Sequence, residues 1–311
     1  MNGARYAYLE RLCELSSTTN TDCGVYFVSC DFAAPAFDKF RENYPNRYVS
    51  VGIAEQNMIQ VACGLALSGK RAVAYSPSPF PVTRAFDQIK CAACVMELPI
   101  TICTHGKGFS QPYFGSTHFN CEELTLLRTL PNVKIITPTD SLMGIAAADY
   151  TLKASTVTNI NFDALCGDEI YTGRTIDFAR GFEILRDGTN VSIITNGALV
   201  TECLNLTEMW AADGISAKII DLYSLPFDFA ALVEAVGDKP VLTVEEHVLA
   251  GGLGSVILET FNEYGKTNRV KRMGINFNKQ YPHTVGSREY FMAMYGFSGK
   301  DITKSLKEIV I

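Results

Sequence analysis

Short β-branched runs alternate with helix-patterned segments along nearly the whole chain, and this alternation restricts the possible folds more than any other feature. Strands are predicted at 25–29, 48–51, 72–75, 100–103, 134–137 and 157–161, and again at 191–195, 217–221, 241–245 and 270–274. Helical periodicity fills the intervals at 54–68, 82–96, 142–154, 201–213 and 254–263. Strands that are apolar on both faces and separated by helices belong to parallel sheets covered on both sides. At 311 residues the chain exceeds what one core fills efficiently. The expected fold is therefore α/β, in two domains, each a mostly parallel sheet covered by helices. The seam is the polar, glycine-rich stretch 167–190, with a boundary near residue 185 that gives domains 1–185 and 186–311.

Composition narrows the function classes. The chain is 47% hydrophobic and 19% charged, with a net charge of -6 and no block of Lys or Arg, so no nucleic-acid partner is expected. The longest apolar stretch, 58–67, is broken by Gln60 and Gly64 and is too short to span a bilayer, so no membrane association is expected. The N-terminus reads as an amphipathic helix without an apolar signal core. Ten cysteines are scattered, several within apolar runs (Cys63, Cys91, Cys94, Cys103), as expected of small core residues in a reducing, cytoplasmic compartment. Cys91-Ala-Ala-Cys94 lies in the middle of a predicted helix and has no second pair to complete a zinc site, so no metal site is assigned. No Cys stands in register with a His as a cysteine hydrolase would require.

The most informative segment is Arg47-Tyr-Val-Ser-Val-Gly52-Ile-Ala-Glu55-Gln-Asn-Met58. A strand ends at Gly52, and a helix with almost no polar face begins at Ala54, as expected for a helix buried in the protein or at a subunit interface. Glu55 falls in its first turn, where the macrodipole favours a carboxylate. A carboxyl group held away from solvent there is suited to proton traffic. A second segment, Ser76-Pro-Ser-Pro-Phe80-Pro-Val-Thr-Arg84-Ala-Phe86-Asp-Gln88, has three prolines that force an extended loop before a helix near Val82. A third, Thr104-His105-Gly-Lys-Gly followed by Gly115-Ser-Thr-His118, lies just after a strand and holds two of the four histidines. That is the edge where open α/β sheets bind ligands, and histidine transfers protons near neutral pH. A fourth is Glu245-Glu246-His247 with Gly251-Gly-Leu-Gly254, whose glycines open a helix.

Taken together, these motifs resemble the C-terminal half of transketolases and of 1-deoxyxylulose-5-phosphate synthase, over essentially the whole chain. Gly52-Ile-Ala-Glu55-Gln-Asn-Met58 is similar to the signature of their pyrimidine-binding domain. The resemblance implies thiamine diphosphate as cofactor, with Glu55 hydrogen-bonded to the aminopyrimidine and favouring the tautomer that activates the thiazolium carbon. It implies that Phe80 stacks on the aminopyrimidine, that Arg84 and Phe86 match the family's Arg-Ala-Tyr-Asp-Gln-type motif, and that His105, His118 and His247 are active-site histidines. The cofactor carries the carbanion chemistry, and the protein supplies proton relay and geometry. His283 matches no family role.

Departures from the family are as informative as the matches. Phe114 stands where relatives have the Asp that reads sugar hydroxyls, and Pro77 where many have a further aromatic. Asn161-Phe-Asp163 follows a strand where relatives place a phosphate-binding Arg, and an Asp there repels phosphate. Asp31-Phe-Ala-Ala-Pro35 lacks the Ser or Thr that helps hold a sugar phosphate. The substrate is therefore expected to be something other than a standard ketose phosphate, such as an unphosphorylated or nucleotide-linked sugar or a short 2-oxo acid. The Gly-Asp-Gly…Asn motif that holds Mg²⁺ and the diphosphate through hard oxygen ligands is absent; Gly167-Asp168-Glu169 does not supply it. A partner resembling the N-terminal half of transketolase is expected to hold Mg²⁺ and the diphosphate. This chain would then form a homodimer within a two-plus-two heterotetramer that transfers a two-carbon ketol or related acyl unit. Two alternatives share the architecture: a beta-type subunit of a 2-oxo acid decarboxylating enzyme, and a non-catalytic scaffold of a thiamine enzyme.

Overall fold

The computed structural model describes residues 3–18, 24–30, 37–163, 169–277 and 281–310. Residues 31–35, which carry one of the departures noted above, and 164–168, which carry most of Gly167-Asp168-Glu169, lie outside them. The chain divides into two compact units, Met1–Lys107 with Leu126–Arg174, and Gly108–Thr125 with Thr175–Ile311.

In the first unit six strands, β1 (Val25–Ser29), β2 (Tyr48–Ser50), β3 (Arg71–Pro77), β4 (Thr101–His105), β5 (Val133–Ile136) and β6 (Val157–Phe162), run in the order β5-β6-β4-β3-β1-β2. Every pairing among them is parallel. β4 and β6 are buried along their whole length, as parallel strands covered on both faces must be. Helices Ala4–Thr18 and Ser141–Lys153 pack against each other in this unit. Tyr8 meets Thr151 at 3.0 Å, and Arg11 pairs with Asp149 at 2.9 Å. Asp140 caps the second helix by accepting from the Met143 amide.

The second unit's sheet runs through Val270–Ile275, Val241–Val248, Val191–Thr195, Ala217–Asp221 and Glu183–Arg186, in that order. Only the edge pairing, Glu183–Arg186 against Ala217–Asp221, is antiparallel. That edge strand lies inside the stretch read from sequence as a polar seam, so the boundary expected near residue 185 falls on a paired strand. Its sequence, Glu-Ile-Leu-Arg, is half-buried throughout and carries too little apolar signal to stand out. Residues 108–125 join this unit because Phe109 is fully buried in its core, stacked on Phe291 with ring centroids 5.0 Å apart.

The segment predicted as one helix over 82–96 is broken instead. It comprises Phe80–Arg84, Phe86–Gln88 and a wider π turn at Ile89–Cys94. The helix Glu55–Leu67 buries Glu55, Met58, Ile59, Ala62 and Cys63, but leaves Gln60, Gly64 and Leu67 exposed, so within this chain it is covered on one side only. Among the described residues no helix is long and apolar enough to cross a membrane.

Two glycines distinguish packing from intrinsic propensity. A Cβ at Gly144 would stand 2.2 Å from the Ala4 carbonyl oxygen, whereas at Gly64 it would meet nothing within 4 Å. Gly144→Ala is expected to destabilise the chain by about 1–3 kcal/mol through overpacking of the two helices. Gly64→Ala is expected to stabilise it by about 0.5–1 kcal/mol through reduced chain entropy. Urea unfolding of both variants checks this; shifts of the same sign would contradict the helix–helix contact at Gly144.

Candidate active site

Glu55 owes its position to the turn before it. Gly52, with φ +71°, ends the excursion from β2, a backbone state that favours glycine. The helix then starts at Glu55, whose carboxylate is only 5% exposed. A carboxylate so buried requires a compensating charge or donor. Arg84 supplies it: Nη1 donates to both oxygens, at 3.1 and 3.3 Å. The Arg84 side chain is half exposed, its guanidinium lies 4.2 Å over the Phe80 ring, and its carbonyl accepts from Gln56. Glu55, Arg84 and Phe80 thus come together from two separate sequence motifs. Phe86 opens the next turn and is half-buried.

His105 ends β4 and is nearly fully buried, with Nδ1 2.9 Å from the Tyr75 hydroxyl. Burial, reinforced by the nearby Arg5 charge, holds its imidazole down to about 3, so the ring is neutral at physiological pH. Sequence reasoning missed Tyr75 and Arg5. Nothing local marks them, because the contact between them joins residues 70 positions apart.

His118 belongs to the second unit, in the 3₁₀ turn Ser116–His118. It is half-buried, its Nδ1 lies 3.0 Å from the Thr117 hydroxyl, and the exposed Phe114 ring is tilted against it at 4.9 Å.

In the second unit the Glu245-Glu246-His247 motif closes on backbone. Glu245 accepts from the Leu253 and Gly254 amides at 2.5 and 2.9 Å, seating a carboxylate on the N-terminus of helix Leu253–Glu263. A Cβ at Gly252 would lie 2.1 Å from that carboxylate, which explains the glycine. Glu246 is buried against Arg288 and accepts from the Phe109 amide at 2.7 Å. His247 has both ring nitrogens engaged: Nδ1 donates to the Val248 carbonyl at 2.8 Å, and Nε2 accepts from the Thr125 amide at 3.4 Å. These contacts give His247 an architectural use, tethering residues 121–125 to the sheet beside the bond from the Val248 amide to Cys121. His283 is exposed. Among the described residues no cluster of His, Cys, Asp or Glu could hold a metal ion.

A buried carboxylate with an arginine and an aromatic ring stands beside the carboxyl edge of a parallel sheet, the edge at which open α/β proteins bind ligands. The comparisons make the class specific. Residues 14–153 match the pyrimidine binding domain of transketolase, and 181–302 match the transketolase C-terminal domain. The chain is 32% identical over 239 residues to one of the subunits of the apulose-4-phosphate transketolase of Actinobacillus succinogenes, covering 76% of each protein. It is 32% identical over 276 residues to the 1-deoxy-D-xylulose-5-phosphate synthase of Carboxydothermus hydrogenoformans, covering 87% of this chain and 43% of that longer enzyme. Its fold matches a split-gene transketolase solved as an inactive beta4 tetramer, with TM-score 0.87 and 27% identity over 100% of this chain and 99% of the other. The chain therefore belongs to the transketolase family, whose members are thiamine-diphosphate-dependent transferases, and it carries that family's pyrimidine-binding and C-terminal domains.

The depressed His105 has a consequence for stability. Below its ordinary value of 6.5 the unfolded chain takes up a proton that the folded chain refuses. The contribution is fully present above that value and is lost as the pH falls toward about 3. His105→Gln is therefore expected to lose less stability than the wild type between about pH 6.5 and pH 4, measured by urea unfolding. Equal losses would contradict a buried neutral His105.

Proposed function

We propose that this chain is the cofactor-activating subunit of a split transketolase-like enzyme, transferring a two-carbon ketol or related acyl unit. Thiamine diphosphate, when bound, supplies the stabilised carbanion that such a transfer needs. The observation that carries the reading is the Glu55–Arg84–Phe80 group. A buried carboxylate is the natural acceptor for a protonated ring nitrogen, and a half-exposed aromatic ring offers a flat face to an aminopyrimidine. This donor set fits the pyrimidine end of the cofactor.

In the chain as it stands, Arg84 takes both positions: it neutralises Glu55 and covers the Phe80 ring. Seating the aminopyrimidine requires Arg84 to swing outward, for which its half-exposed side chain has room. With the aminopyrimidine bound, Glu55 would accept from its ring N–H in place of the guanidinium and would hold the proton there. His105, neutral, donates a hydrogen bond instead of carrying a charge.

The diphosphate of the cofactor is held outside this chain. The partner is a protein resembling the N-terminal half of transketolase, which holds Mg²⁺ and the diphosphate, and two copies of each chain form the active complex. The relative from Actinobacillus succinogenes is named for a sugar phosphate, and we place the substrate of this chain among sugar phosphates in the broad sense. Phe114 and Asp163, each standing in sequence where relatives carry a sugar-reading or phosphate-binding residue, support a substrate unlike the standard ketose phosphates.

Glu55→Gln keeps the size and the Arg84 contact but removes the carboxylate. It is expected to lower kcat of the reconstituted complex by at least about 100-fold, with assembly unchanged by sedimentation. Retained activity would point to a scaffolding role.

A further inference from the structure

Tyr75 is fully buried near the end of β3. In the β3–β4 register Pro77 faces His105, and Tyr75, two residues earlier, lies on the same face of the sheet. Its ring is nearly parallel to the imidazole, with centroids 5.4 Å apart and planes at 16°. The phenol oxygen has two hydrogen-bond partners among the described residues, Arg5 Nη1 at 3.3 Å and His105 Nδ1 at 2.9 Å. A guanidinium only donates, so the phenol's own proton has Nδ1 as its acceptor. A neutral imidazole that accepts at Nδ1 carries its proton on Nε2. Burial acts in the same direction, pushing the Tyr75 phenol up so that it stays protonated and holding the His105 ring neutral.

We propose that Arg5 and Tyr75 are positioning residues that lock His105 as its Nε2–H tautomer, making it a fixed hydrogen-bond donor to a substrate carbonyl or hydroxyl oxygen and not a base. The inference rests on the reading of His105 as a substrate-facing residue. Arg5 donates to the phenol oxygen and offers its proton no acceptor, which leaves Nδ1 to take the Tyr75 proton. A donor whose tautomer is set in advance needs no reorganisation when negative charge develops on that oxygen.

The chain has four histidines, so ¹⁵N-histidine labelling gives a spectrum simple enough to read, and His105→Gln assigns the relevant ring. In the full chain His105 is expected to show a protonated Nε2 and an unprotonated Nδ1, unchanged between about pH 5 and pH 8. Tyr75→Phe keeps the ring and removes the hydroxyl, and is expected to give a mixture of tautomers. Arg5→Met leaves the buried tyrosine in place and is expected to bring in the Nδ1–H form, which covers the case in which Tyr75→Phe folds poorly. An Nδ1–H ring in the wild type, or an unaltered Nε2–H ring in both variants, overturns the proposal. In the reconstituted complex Tyr75→Phe is expected to lower kcat about tenfold with little change in KM. Full activity of Tyr75→Phe alongside an inactive His105→Gln would overturn the functional half of the proposal. Full activity of His105→Gln itself would remove His105 from the reaction and leave the tautomer lock standing.

Discussion

A carboxylate stripped of water must find either a cation or a set of donors, because an uncompensated buried charge costs several kcal/mol. At Glu55 this requirement organises the first unit's site. The strand β2, the positive-φ turn at Gly52 and the helix start leave the carboxylate 5% exposed. The helix N-terminus offers part of the compensation, and the remainder comes from Arg84, a residue of the short helix Phe80–Arg84 that follows β3. The same guanidinium lies on Phe80. One charge requirement thereby brings three residues from two sequence motifs into one place.

The second unit meets the same requirement twice, on adjacent residues of one strand. Glu245 and Glu246 lie where the pairing register of the strand is irregular, and each finds its own set of donors. Glu245 sits on the amides that open helix Leu253–Glu263, while Glu246 is held by Arg288 and the Phe109 amide. His247 follows with both nitrogens on backbone groups. A motif that reads in sequence as a catalytic constellation also serves, in the structure, as a joint that ties residues 108–125 to their unit. Acidic side chains, glycines and a histidine are needed for either use, and spacing alone does not separate the two.

Much of the fold was legible in the sequence, because β-branched runs buried on both faces leave a strong signal. Val25–Ser29, Val191–Thr195 and Ala217–Asp221 appear as predicted, and Val157–Phe162 extends its prediction by one residue. The signal failed where side chains are mixed, as in Glu183–Arg186, and where a helix pattern is interrupted by backbone geometry, as in Ile89–Cys94. Of the candidate site, Glu55, Phe80 and Arg84 were legible through motif spacing, although their mutual contact was not. Tyr75 and Arg5 were not legible at all. Their importance arises from a hydrogen-bond chain between the first helix and two strands, a relation that local sequence does not encode.

The central claim is that this chain holds and activates one end of thiamine diphosphate while another chain holds the diphosphate and its Mg²⁺. Isothermal titration of thiamine diphosphate and Mg²⁺ into the isolated chain, and then into the chain mixed with its partner, tests this most directly. The account predicts saturable, Mg²⁺-dependent binding only in the mixture. Tight, Mg²⁺-dependent binding by the isolated chain would contradict it.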